Sequence, residues 1–211
     1  MCIRDRHISD TISYVKNTCD DILVECLVGD FQGDVGGIST ILDAKPDVYA
    51  HNVETVSRLT PTVRDQKAGY VQSLFVLEKA KKIAQQKKLK TYTKTSIMLG
   101  LGETRDELKQ TFLDLKNAGV DFLTLGQYLQ PSKKHLAVDR FVHPTEFDEL
   151  KDLSMEYGFK YVASGPLVRS SYKAAEFFIE SFIKKENTKT LEEQSLPVFF
   201  DADINLEKHI K

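Results

Sequence analysis

Residues 93–104, Thr-Lys-Thr-Ser-Ile-Met-Leu-Gly-Leu-Gly-Glu-Thr, restrict the fold more than any other stretch of the chain. Ile97, Met98 and Leu99 form a short apolar run closed by turn signals, the pattern of a strand buried on both faces. Gly100 and Gly102 let the backbone turn sharply and come close to a ligand. Thr104 and Glu107 have the spacing of a capping box, so a helix should start there. Leu108, Phe112 and Leu115 continue it, and Gly119 ends it. Strand, glycine loop and covering helix make one βα unit.

The rest of the chain reads as more copies of that unit. Strands are expected over 22–31, 47–52, 121–129 and 160–166, besides the one that ends at Leu99. Helices are expected over 7–20, 38–42, 70–86, 144–157 and 170–185, with a long loop around Pro61. Five strands alternating with helices predict an α/β fold with a parallel sheet. Pattern alone leaves a barrel and an open sheet equally allowed. Either way, function sits where strands end and loops begin. Met1–Arg6 fits nothing that follows and reads as a non-native segment. Residues 7–186 form the expected domain, and 187–211 a polar tail with one apolar patch, Val198–Phe200.

With 211 residues, 41% of them hydrophobic, one sizeable core can be buried. The net charge of −2 carries no nucleic-acid footprint. No apolar run approaches a membrane span, and the first six residues lack the apolar core of a signal peptide. Cys2, Cys19 and Cys26 form no CxxC or CxxxCxxC pattern, so neither a disulfide nor a cysteine cage for a metal is expected. Cys26 shares strand parity with Ile22, Val24 and Val28 and reads as a core thiol.

The polar residues at the strand ends are the functional candidates. Asn52 and Glu54 share parity, and an amide beside a carboxylate could grip an amino acid or a ribose, or be ordinary loop polarity. His51 with Glu54 makes an incomplete metal set. Arg64 is either a carboxylate clamp or an exposed arginine. Gly100-Leu101-Gly102-Glu103 lacks the third glycine of a dinucleotide fingerprint. Gln127 and Tyr128 could serve an adenine edge or cap the rim of the sheet. Arg169-Ser170-Ser171 follows the last strand, where serine caps a helix and free amides suit an anion.

Taken together, four motifs resemble the lipoyl synthase family of radical S-adenosylmethionine enzymes. They are His51-Asn52-Val53-Glu54, Gly100-Leu101-Gly102-Glu103-Thr104, Leu123–Ser132 with Gly126-Gln127-Tyr128 at its centre, and Gly165-Pro166-Leu167-Val168-Arg169-Ser170-Ser171-Tyr172. The similarity runs from about His7 to Glu186. It implies a partial TIM-type (β/α) barrel. It also implies insertion of two sulfur atoms into an octanoyl chain on a carrier-protein lysine, through a 5′-deoxyadenosyl radical. The implied cofactors are two [4Fe–4S] clusters and S-adenosylmethionine, which carry the hard chemistry. The implied partners are octanoylated lipoyl carriers (the E2 component of 2-oxoacid dehydrogenases, the glycine cleavage H protein) and an electron donor such as ferredoxin or flavodoxin. Bacterial cytoplasm is the favoured compartment, with the mitochondrial matrix the other.

By the same resemblance, Asn52, Glu54 and Arg64 belong to the S-adenosylmethionine pocket, with Gly100, Gly102, Glu103 and Gln127 near the adenine. Ser171, or Ser170 beside it, ligates the auxiliary cluster, and Arg169 offsets its charge. Ser96 and Met98 depart from the usual Gly-x-Ile-x-Gly-x-x-Glu pattern of the adenine strand. The family's two cysteine sets are absent. The chain therefore looks like a C-terminal portion, expected to hold neither cluster stably, to be inactive alone and to expose sheet edges. Two rival readings stand beside this one. The first is a non-catalytic α/β module that binds S-adenosylmethionine or a lipoyl carrier. The second is an aldolase-type barrel with Lys94 as Schiff-base lysine.

Overall fold

The strands Glu25–Leu27 (β1), Val48–Ala50 (β2), Tyr92–Leu99 (β3), Phe122–Gln127 (β4) and Tyr161–Gly165 (β5) form one parallel sheet in chain order. The computed structural model describes residues 3–19, 21–171 and 179–185. Contacts divide the chain into two units, Met1–Glu176 and Phe177–Lys211. In the second, residues 179–185 are helical. The middle of the helix expected over 170–185, and the tail expected over 187–211, lie outside the described residues. Among the described residues no helix is long and apolar enough to cross a membrane.

The helices are Ile3–Thr18 (α1), Val35–Asp43 (α2), Thr60–Val63 (α3), Tyr70–Gln86 (α4), Arg105–Asn117 (α5) and Pro144–Glu156 (α6). Register explains the layering. Cys26, Tyr49, Thr93 and Thr95, Ile97, Leu99, Leu123, Leu125 and Val162 share one parity across the five strands. On that face Ile97, Leu99, Leu123, Leu125 and Val162 pack with Leu77, Leu108, Phe112, Phe147 and Leu150 from α4, α5 and α6. Cys26 and Tyr49 pack with Ile12, Ile38, Ile41, Leu42 and Val76 from α1, α2 and α4. Among the described residues α1, α2, α4, α5 and α6 pack on this one face, and parallel strands in sequential order curl such a sheet toward a barrel. The expected α/β fold of parallel strands and covering helices is present as an open, partial barrel, with β1 and β5 at its two edges. The concave face carries Glu25, Ala50, Lys94, Ser96, Met98, Thr124 and Gly126.

Three local departures from expectation have physical causes. The first strand covers Glu25–Leu27 rather than 22–31, and Ile22 is exposed. Beyond it, the Asp30 carboxylate accepts from the Gln32 amide and turns the chain into a 3₁₀ turn, Phe31–Gly33. α2 starts at Val35 because Asp34 caps it, accepting from the Gly36 and Gly37 amides. α3 occupies the expected loop, with Pro61 in its first turn, where a missing amide costs nothing. At the other end, Ile3–Arg6 form the first turn of α1, and Asp5 is buried.

The capping box that opens α5 is formed as expected. Thr104 Oγ1 accepts from the Glu107 amide, and Glu107 accepts from the Thr104 amide at 2.8 Å. Arg58 adds a two-pronged pair to the same carboxylate, at 2.6 and 3.1 Å. Arg58 first, and then the Thr104 amide, pull the Glu107 carboxyl down to about 2. A carboxyl lowered on folding contributes stability that is complete above its ordinary value of 4.5 and is lost as pH falls toward 2. Thr104→Ala is expected to cost about 1 kcal/mol of stability, read as a shift in the urea midpoint at pH 7.

Candidate functional site

The C-terminal ends of β2, β3, β4 and β5 converge on a cavity of about 490 Å³. Asn52 and Glu54 line it from the β2 end, Ser96, Ile97 and Met98 from β3, and Gly126 to Pro131 from β4. Val168, Arg169 and Ser170 complete it after β5. Residues more than a hundred positions apart thus share one hollow at the face where such sheets bind ligands.

Glu54 reaches the cavity through a forced backbone. Its φ is 67°, a region that costs a non-glycine residue about 1–3 kcal/mol. Two hydrogen bonds hold it there: its amide donates to the Ser96 carbonyl at 3.0 Å, and its carbonyl accepts from the Met98 amide at 2.8 Å. Burial raises the Glu54 pKa, opposed by a hydrogen bond from Asn52 and by the charge of Arg64. Asn52 and Glu54 thus stand together on the cavity wall, brought there by this turn of the backbone rather than by strand alternation. His51 points the other way. Its Nδ1 lies 2.9 Å from the Val28 carbonyl and its Nε2 2.9 Å from Ser73 Oγ, so His51 and Glu54 do not converge as metal ligands.

The glycine loop after β3 shapes the rim rather than lining the cavity. Glu103 turns back on its own loop, where its two oxygens accept from the Gly100 amide at 2.7 Å and the Leu101 amide at 2.9 Å. Gly100 has φ +92°, and a Cβ there would meet the Arg140 carbonyl at 2.3 Å. Gly102, at φ +95°, completes the turn. The Gln127 amide is committed to backbone. Its Nε2 donates to the Tyr128 and Arg140 carbonyls, and its Oε1 accepts from the Val142 amide at 2.9 Å. These bonds cap the rim of the sheet.

After β5, Val168 bonds back to the Gly165 carbonyl at 3.0 Å, and this turn carries Arg169 into the cavity wall. Arg169 Nη1 donates to the Gln127 and Val168 carbonyls. Ser170 lines the cavity, whereas Ser171 is exposed and outside its lining. Of the residues singled out by sequence, Asn52, Glu54, Gln127, Arg169 and Ser170 meet at the cavity. Arg64, Gly100, Gly102, Glu103 and Ser171 stand around it. Lys94 does not line it: the residue is 1% exposed and its ammonium sits on both Glu25 oxygens, at 2.8 and 2.7 Å. That pairing removes the free amine an aldolase-type reading requires.

Sequence reasoning missed two contributors. Gly126 lies under the Val168 carbonyl, where a Cβ would stand only 2.1 Å from the oxygen. Ser73 is fully buried and holds both His51 and Arg64. A serine in register with the buried Val76, Leu77 and Ala80 of α4 was the signal available for it.

The described cysteines do not by themselves make an iron–sulfur cluster site. Among the described residues no three His, Cys, Asp or Glu side chains group to hold a metal ion. Cys19 is exposed and Cys26 is buried on the helix-covered face. Burial first, and then the Glu25 carboxylate, push the Cys26 thiol up to about 12, away from the thiolate a cluster needs. Cys2 lies outside the described residues.

No family model matches the chain. The chain is 54% identical over 185 residues to the lipoyl synthase of Myxococcus xanthus, covering 88% of this chain and 61% of that protein. It is 50% identical over 181 residues to an apicoplast lipoyl synthase of Plasmodium falciparum, covering 86% and 43%. It is 53% identical over 184 residues to a mitochondrial lipoyl synthase of Drosophila ananassae, covering 87% and 47%. The chain therefore spans about half the length of these curated relatives. A solved structure of a Burkholderia cenocepacia protein overlays 87% of this chain at a TM-score of 0.45 and 13% identity, a likeness too slight to carry weight.

Proposed function

We propose that this chain, homologous over most of its length to lipoyl synthases, supplies the ligand-binding wall of a lipoyl synthase that inserts sulfur into protein-bound octanoyl-lysine. The observation that carries the reading is the cavity itself. It gathers Asn52, Glu54, Ser96, Met98, Arg169 and Ser170 from four strand ends. The cavity would take S-adenosylmethionine, with the Asn52 amide and the Glu54 carboxylate as partners for its amino-acid end. Ser171 is the proposed cluster ligand, with cavity-lining Ser170 the alternative, and Arg169 supplies positive charge beside them. When bound, the cofactors of such an enzyme supply the radical and the sulfur. This chain's residues orient the nucleoside and wall off water. The thiolate ligands would come from a stretch of protein other than the residues described. The proposed partners are octanoylated lipoyl carriers and a ferredoxin- or flavodoxin-type electron donor. The bacterial cytoplasm is the favoured setting, and the mitochondrial matrix the other.

The test joins residues 7–186 behind the part of the Myxococcus xanthus relative that precedes the match. Both chains are reconstituted anaerobically and assayed for iron, sulfide and conversion of an octanoyl-lysine peptide. Cluster uptake and lipoyl product in the joined protein alone are expected. A joined protein that takes up neither iron nor sulfide would sink the reading. The lack of a metal-holding group among the described residues favours one second reading, a non-catalytic module that binds S-adenosylmethionine or a lipoyl carrier. It predicts ligand binding without product in both proteins.

A further inference from the structure

Buried Ser73 and His51 and half-buried Arg64 form a chain that, with a neutral imidazole, has one consistent set of proton positions. Arg64 Nη1 lies 2.6 Å from Ser73 Oγ, and arginine can only donate. Ser73 Oγ lies 2.9 Å from His51 Nε2. His51 Nδ1 lies 2.9 Å from the Val28 carbonyl, which can only accept. A neutral His51 must therefore carry its proton on Nδ1, and its Nε2 then takes the Ser73 hydroxyl proton. That leaves the serine lone pairs facing Arg64. Ser73 is fully buried and His51 is 3% exposed, so no water competes for these bonds.

We propose that His51, acting through Ser73, is a positioning residue that fixes the Arg64 guanidinium for the carboxylate of the ligand held in the neighbouring cavity. The inference rests on the S-adenosylmethionine reading given above. Arg64 follows the one-turn helix α3, its amide bonded to the Thr60 carbonyl at 2.9 Å. A long side chain leaving such a short element has many rotamers to lose. The relay selects one of them before the ligand arrives. Arg64 is close enough for its charge to act on cavity-lining Glu54. A ligand that carries both an ammonium and a carboxylate would meet Glu54 and Arg64 as matched partners.

Neutrality of His51 is part of the device. The groups that face the imidazole are the Val28 carbonyl, the Ser73 hydroxyl, the Arg64 guanidinium and the Asp30 carboxylate. Burial lowers the His51 pKa most. The Val28 carbonyl raises it, Arg64 lowers it further and Asp30 opposes. A second proton, on Nε2, would leave the Ser73 hydroxyl without its acceptor and set a cation beside Arg64.

Two measurements on this chain test the proposal. The first is the long-range proton–nitrogen spectrum of His51 against pH. The neutral Nδ1–H tautomer is expected, titrating below the ordinary value of about 6.5 and moving up toward it in Arg64→Gln. The second is the affinity for S-adenosylhomocysteine. Loss of one hydrogen bond to a charged group predicts about tenfold weaker binding in Ser73→Ala. A wild-type chain that binds while Ser73→Ala binds equally well overturns the positioning role alone. So does a His51 titration indifferent to Arg64→Gln. A wild-type chain that binds no S-adenosylhomocysteine removes the cavity reading and the positioning role with it.

Discussion

Gly126→Ala should unseat the turn that carries Arg169 and Ser170. The new Cβ would stand 2.1 Å from the Val168 carbonyl oxygen and 3.1 Å from its carbon, both backbone atoms that no rotamer change can move aside. The Val168 amide is already bonded to Gly165, so the turn shifts as a unit. Overpacking of this kind costs about 1–3 kcal/mol, and a backbone obstacle places Gly126→Ala at the upper end. Ligand affinity should fall more steeply than stability, because the displaced turn is cavity wall. Gly29→Ala is the control, since a Cβ there meets nothing within 4 Å. Urea unfolding and S-adenosylhomocysteine calorimetry on the two variants decide the matter. Equal behaviour would show that the turn yields without cost.

The second large effect belongs to the concave face. Lys94 reaches from β3 across the small Ala50 of β2 to Glu25 on β1, a partner 69 residues earlier. Glu25→Gln leaves the ammonium of a fully buried lysine without its counter-charge. Breaking a buried pair from one side costs about 3–5 kcal/mol, and the quarter exposure of the Glu25 side chain brings the expectation down to about 2–3. The double variant Glu25→Leu with Lys94→Met should recover most of that loss, because an apolar pair of similar volume carries no desolvation cost. Urea midpoints of the wild-type chain, Glu25→Leu, Lys94→Met and the double variant form a closed cycle. A double variant no better than Glu25→Gln would mean that packing rather than charge ties β1 to β3.

Much of this architecture could be read from residue order, and the exceptions share a cause. The apolar run at Ile97, the box at Thr104 and Glu107 and the stop at Gly119 are local signals, and the structure follows them. The resemblance sets Glu103 and Gln127 near the adenine, but the partners their side chains find within the chain could not be read from it. Their partners turned out to be backbone: loop amides next door for Glu103, and Arg140 and Val142 for Gln127. Polarity at a strand end says that a hydrogen bond is made, not to whom. Lys94 looked available because Glu25 lies far away in sequence. Ser73 lies in register with the buried face of α4, but only tertiary contact reveals that it faces His51. Ile22 read as core by parity, but the strand that would have buried it starts only at Glu25.

The segment after β4 is moored by atoms that every amino acid shares. Its holds are the Asp139 amide on the Gly100 carbonyl, the Leu136 carbonyl under the Tyr128 hydroxyl, and the Arg140 carbonyl and Val142 amide on Gln127. None of these is a side chain of the segment itself. Apart from Ser132 and His135, whose side chains bond to each other at 2.9 Å, residues 132–138 can therefore exchange their side chains while the loop keeps its place. In a saturation library, tolerance should run through that span and stop abruptly at Gly100, Gly126 and Gln127. Selection can edit what this mouth recognises without rebuilding the jaw that holds it open.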